Sequence, residues 1–234
     1  MNVLTLARDP FFLLSALFVL AVLAVAYGAE SLELAIYALS FWHYLVYALA
    51  IFWRKISHER FIQDGVLLKA FSLAAFVLVL WFTVPNIPSL IVMAIGFTFN
   101  ISAARALGTS RTYYGYELGV LPPKRVTSFP YSLPWVRHPM LVGNTVAYAG
   151  TLLDDTFRQD WWQLGVLHVV LNFAIILIEA YGSENRSAGW IAAIGGLVAG
   201  GVLLLVGFWD VGLYAFALTV ISALFGIVII RRYA

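Results

Sequence analysis

No cysteine occurs among the 234 residues, which excludes a disulfide framework, a thiolate nucleophile and zinc–thiolate coordination. Charge is almost as scarce. Asp, Glu, Lys and Arg make up 11% of the chain and 62% is hydrophobic, with a mean hydropathy of +0.91; soluble domains carry about 25% charged residues. Such a chain is an integral membrane protein. The net charge of +2 is too small to argue for nucleic-acid binding. Histidine is limited to four residues, none in the HExxH spacing that holds a catalytic zinc, which argues against a metal site.

What is abundant is long apolar runs. A bilayer core asks for roughly 17 to 25 apolar residues per helix, and the runs 11–28, 34–53, 67–84, 88–104, 163–180, 190–208 and 211–230 supply them. A shorter run, 139–153, contains Gly143 and Gly150. If it crosses, the basic residues segregate: Arg8, the loop from Arg54 to Lys69, Arg105 to Arg137, Arg186 and Arg231/Arg232 share one side. Glu30, Glu33, Asp154 to Asp160 and Asp210 take the other. By the positive-inside rule the basic side and both termini are cytoplasmic. The expectation is an all-α, polytopic helical membrane protein with about eight transmembrane helices and a pocket on its cytoplasmic face. It reads as one membrane domain, with N-terminal helices (1–104), a central segment (105–187) and a C-terminal hairpin (188–234). Trp53, Trp81, Trp161, Trp162, Trp190 and Trp209 fall at predicted helix ends, where indoles anchor at the interface. Gly195, Gly196 and Gly200 form a small-residue face suited to helix packing, inside the chain or in a homo-oligomer.

The stretch from Arg105 to Gly150 is different in kind. It holds Arg105, Arg111, Glu117, Lys124, Arg125, Arg137 and His138 among five prolines, five glycines and seven aromatics. Irregular polar backbone beside a membrane survives only when buried in protein or lining a wet cavity. This stretch therefore predicts a cationic, aromatic-lined pocket at the membrane surface. Pro139 suits a first helical position and leaves Arg137 and His138 at the positive end of a helix, where a carboxylate or phosphate is favoured. Glu179, at the rim of its apolar run, is either a functional carboxylate or an interfacial one reaching water.

Three runs in fixed order carry a resemblance: RTYYGYELGV at 111–120, RVTSFPY at 125–131 and HPMLVGNT at 138–145. They echo GTxLGDYFGI, RVTxFPF and NPMYxGST, so the chain resembles the phosphatidylethanolamine N-methyltransferase family, within the membrane methyltransferases that include isoprenylcysteine carboxyl methyltransferase. The resemblance implies S-adenosylmethionine as donor, bound through a GxG before the pocket and a Glu-Glu pair after it. Here those positions read Ala94-Ile95-Gly96 and Glu179-Ala180, and the Asn before Pro-Met is His138.

The chemistry suits these residues. Methyl transfer from a sulfonium needs orientation more than covalent help, and a cation favours aromatic faces. Gly96, Tyr113, Tyr114, Arg137, His138 and Glu179 are the expected donor contacts; Tyr116, Lys124 and Arg125 are the expected contacts of a lipid head group. An ammonium acceptor must lose its proton before attack, so His138 or Glu117 is the expected base. The expected reaction is methylation of a membrane lipid head group, foremost the amine of phosphatidylethanolamine, at the cytoplasmic face of a bacterial inner membrane or the endoplasmic reticulum. Two alternatives stay open, a prenylcysteine or small-thiol acceptor, and a non-catalytic membrane scaffold.

Overall fold

The computed structural model describes residues 10–39, 57–116, 118–181 and 186–233, and all regular structure among them is helical. Residues 32–39 are helical, and the helices whose two ends are both described are α1 (Pro10–Gly28), α2 (His58–Thr83), α3 (Ile87–Leu107), α4 (Thr109–Thr112), α5 (Pro139–Thr151), α6 (Asp155–Asp160), α7 (Trp162–Tyr181), α8 (Arg186–Gly207) and α9 (Gly212–Tyr233). Most of the predicted span 34–53, with His43 and Trp53, lies outside the described residues, as does Glu117.

Four described helices are long and apolar enough to cross a membrane: Ile87–Leu107, Trp162–Ala180, Gly189–Gly207 and Trp209–Val228. Ala16–Gly28 and Ser72–Thr83 are shorter apolar stretches. With 13 residues, α5 is only about 20 Å long, short of a hydrocarbon core of about 30 Å.

The chain forms two compact units, one from the described residues of Met1–Val77 with Leu204–Ala234, the other from Leu78–Leu203. In the first, α1 packs on α9, with the Phe18 and Phe225 rings 5.4 Å apart. The second contains α3, α5 and α7, with α5 between the other two.

The sequence of α5 explains its central place. Gly143, Ala147 and Gly150 recur at helical spacing and form one stripe, while Asn144, Tyr148 and Thr151 form the next, about 100° around the helix. The small stripe meets α3 backbone to backbone. A Cβ on Gly96 would come within 2.4 Å of the Ala147 nitrogen and 2.6 Å of the Gly143 carbonyl; one on Gly143 would meet the Asn100 nitrogen at 2.6 Å. On α3 the buried positions Ser89, Met93, Gly96, Asn100 and Ala103 keep the matching alternation of four and three. The polar stripe meets α7: Tyr148 stacks on His168 at 3.8 Å, and Asn144 Nδ2 donates to Asn172 Oδ1 at 3.4 Å. Both pairings are antiparallel and in register.

The far end of this three-helix unit is closed by Asp154. Its carboxylate accepts from the Phe157 N–H, capping α6, and from the Asn86 N–H, each at 2.9 Å. Asn86 in turn caps α3 by accepting from Ser89 N–H and donates its amide to the Leu153 carbonyl. Asp154 was expected as a loop acid; its burial here follows from these bonds, since a buried carboxylate persists only where donors satisfy it.

One expectation changes and one open choice is resolved. Trp161 is buried at the α6–α7 turn, whereas Trp81 and Trp209 are exposed as anchors would be. Gly196 packs inside the chain, where an added Cβ would meet Ala174 Cβ of α7 at 2.7 Å; Gly195 faces open space.

Candidate functional site

The segment between α3 and α5 begins with a glycine exit. Gly108, at φ 83°, ends α3 and admits the short helix α4. The chain then closes in tight turns, with the Gly115 carbonyl accepting from both Val120 and Leu121 N–H. Tyr114 sits at φ 59°, a left-handed conformation a bulky residue adopts only when its surroundings demand it. Tyr113 and Tyr114 are both buried, while Tyr116 faces outward. Arg111 Nη1 donates to the Pro122 carbonyl at 2.8 Å and ties α4 to the following loop. Lys124, Arg125 and Arg137 are exposed along that loop.

The loop ends at α5 as the sequence predicts. Pro139 occupies the first turn and His138 is the N-cap residue, but the His138 side chain does not cap the helix. It turns to α7, where Nδ1 lies 2.8 Å from Glu179 Oε2. The two side chains are 23% and 14% exposed, so the pair is sheltered while still accessible. From the opposite side, Asn100 Nδ2 donates to the Met140 carbonyl at 2.8 Å, pinning the first turn of α5 to α3.

His138 and Glu179 were expected to serve the same site, and the fold brings them into direct contact across 41 positions. With Nδ1–H donating to the carboxylate, the ring orientation and tautomer are fixed and Nε2 carries the free lone pair. The arrangement can accept a proton at Nε2. The bare face of Gly96 is filled by the backbone of α5, so its lack of a side chain serves helix packing. Asn100 and the Asn144–Asn172 pair are the residues that the sequence reading did not join to the site. The signal available for them was three amides lying within otherwise apolar helices.

The fold and the sheltered pair define a helical membrane protein with an acid–base couple at the end of a three-helix unit. Residues 84–182, which contain that unit, match the model of the phospholipid methyltransferase family. Over 89 residues the chain is 39% identical to phosphatidylethanolamine N-methyltransferase of Mus musculus and 38% identical to that of Rattus norvegicus. These stretches are 38% of this chain, and the match spans under half, 44%, of the length of the curated relatives. No solved structure matches the chain.

Proposed function

We propose that this protein is an S-adenosylmethionine-dependent methyltransferase acting on the head group of a membrane lipid, with the amine of phosphatidylethanolamine or its methylated forms as acceptor. The observation that carries the reading is the His138–Glu179 contact, made between two motif residues of the matched segment.

The local chemistry fits a sulfonium donor. Buried tyrosines at 113 and 114, the carboxylate of Glu179 and the open start of α5 beside Arg137 offer aromatic, anionic and cationic partners for its distinct parts. S-Adenosylmethionine, when bound, supplies a methyl group whose transfer to nitrogen breaks the sulfur–carbon bond and leaves a neutral thioether.

The residues of this chain then have separable tasks. Glu179 holds the His138 ring by its Nδ1–H and so directs the lone pair of the neutral ring to Nε2. His138 takes the ammonium proton of the lipid at Nε2, freeing the nitrogen lone pair for attack. Glu117, three positions after Tyr114 in sequence, is the second candidate base. Arg137 meets the donor carboxylate at the start of α5, while Tyr116, Lys124 and Arg125 face the head group, the two cations toward its phosphate. Gly96 contributes by letting α3 and α5 meet, which sets where α5 begins. The charge segregation of the sequence puts this face on the cytoplasmic side.

The test is direct. Purified protein in lipid nanodiscs, given methyl-labelled S-adenosylmethionine, should transfer label to phosphatidylethanolamine as mono-, di- or trimethylated product. Label appearing only on a prenylcysteine or a small thiol would reassign the acceptor. No transfer to any of the three, with no binding of S-adenosylhomocysteine, would leave a scaffold.

A further inference from the structure

The loop from Leu121 to His138 does not stay above the helix ends. The Phe129 ring packs edge-on against Phe99 of α3, with centroids 5.8 Å apart and planes at 82°. Phe99 lies roughly two turns, about 12 Å, short of Leu107, where α3 ends. Since Ile87–Leu107 is just long enough to cross a bilayer, a ring seated on Phe99 lies at the depth of lipid chains. At this depth Phe129 still leaves 57% of its surface exposed; Trp135, six positions on in the loop, leaves 76%. Pro130 and Val136, their neighbours in sequence, are buried. The loop thus has an inward apolar side held by protein and an outward aromatic side that is largely uncovered.

The backbone is suited to an apolar medium despite lacking regular structure. Pro122, Pro123, Pro130 and Pro134 carry no N–H to leave unsatisfied. Around the last two, the Ser132 N–H donates to the Ser128 carbonyl, that of Leu133 to Pro130 and that of Val136 to Leu133. Irregular backbone at membrane depth requires this kind of internal satisfaction. Exposed cations bracket the aromatic tip, Lys124 and Arg125 before it and Arg137 after it. Side chains of that sign at the two ends, with rings between, match the phosphates and acyl chains of a lipid leaflet in their natural order.

We propose that residues 128–136 form a re-entrant contact with the bilayer, Phe129 and Trp135 lying among lipid acyl chains and Lys124, Arg125 and Arg137 at the phosphates. The occupant of this surface is lipid, so the flank of the site before His138 is open sideways to the leaflet.

The Cys-free chain allows a test that does not depend on methyl transfer. Phe129→Cys and Trp135→Cys are labelled with an environment-sensitive fluorophore in nanodiscs. Ile95→Cys, exposed on the α3 span, serves as the bilayer reference and Ser110→Cys as the aqueous one. The expected result is emission at 129 and 135 shifted to the blue, as at Ile95, quenching by lipids spin-labelled on the acyl chain, and loss of the iodide quenching seen at Ser110. Iodide quenching at either position equal to that at Ser110 overturns the proposal and leaves the rings as a contact for a soluble partner. If Phe129→Cys fails to fold, Trp135→Cys alone decides, because its ring is mostly outside the protein.

Discussion

Replacing Gly96 by Ala is the sharpest probe of the unit that carries the site. The new methyl would lie 2.4 Å from the Ala147 nitrogen and 2.7 Å from its Cα, all backbone of α5. Carbon packs comfortably at about 3.5 Å, so α3 and α5 must part by about 1 Å. Overpacking of this kind costs about 1–3 kcal/mol. The separation also stretches the Asn100–Met140 bond, itself contributing about 0.5–1.5 kcal/mol. Against this stands the better helix propensity of Ala, about 1 kcal/mol. The net expectation is a loss of about 1–3 kcal/mol. Gly195→Ala is the control, since an added Cβ there meets nothing within 4 Å; it gains the propensity term and nothing is lost. Equilibrium unfolding in mixed detergent–SDS micelles should separate the two variants by about 2–4 kcal/mol in total. Methyl transfer should fall in Gly96→Ala alone, because the shift of α5 displaces His138 from Glu179. Equal stability of the two variants would mean that α3 and α5 do not meet backbone to backbone, and the positioning argument would collapse.

Glu179→Ala should lower kcat/KM for transfer by about 10- to 150-fold, the equivalent of a charged hydrogen bond of about 1.5–3 kcal/mol. In a His138→Ala background the same change should cost far less, and full additivity would show that Glu179 acts without His138. Calorimetry with S-adenosylhomocysteine adds a second reading: Glu179→Ala should weaken donor binding more than it weakens the fold, and unchanged affinity would remove Glu179 from the donor site. Asp154→Ala strips the buried Phe157 N–H and the part-buried Asn86 N–H of their acceptor and should destabilise by about 1–3 kcal/mol; a loss under about 0.5 kcal/mol would refute the double cap. Arg137→Ala should raise the apparent KM for S-adenosylmethionine, and Arg125→Ala that for the phospholipid alone. Equal impairment of both constants by both variants would reduce these arginines to folding the pocket.

The sequence by itself determined the medium and most of the helices. Hydropathy located α1, α3, α7, α8 and α9 to within a few residues, because long apolar runs report each residue's own preference for lipid over water. Pro139 marked the start of α5 by the same local logic, its ring fitting only a first turn. Order and spacing of the three motif runs located the family segment. Tertiary structure decided what those residues do. The sequence had Gly196 among packing residues with the partner undecided, and both it and Gly96 are places where this chain's own helices touch. Trp161, at a helix end like the other indoles, is buried because α6 turns over it. The joining of His138 to Glu179, of Asn100 to the first turn of α5 and of Asp154 to two helix starts depends on register between helices distant in the chain. Polarity and helical periodicity are properties of one residue or one helix, readable from the chain alone. A contact is a property of two, and only the packing of α5 between α3 and α7 fixes which residues stand at the same height.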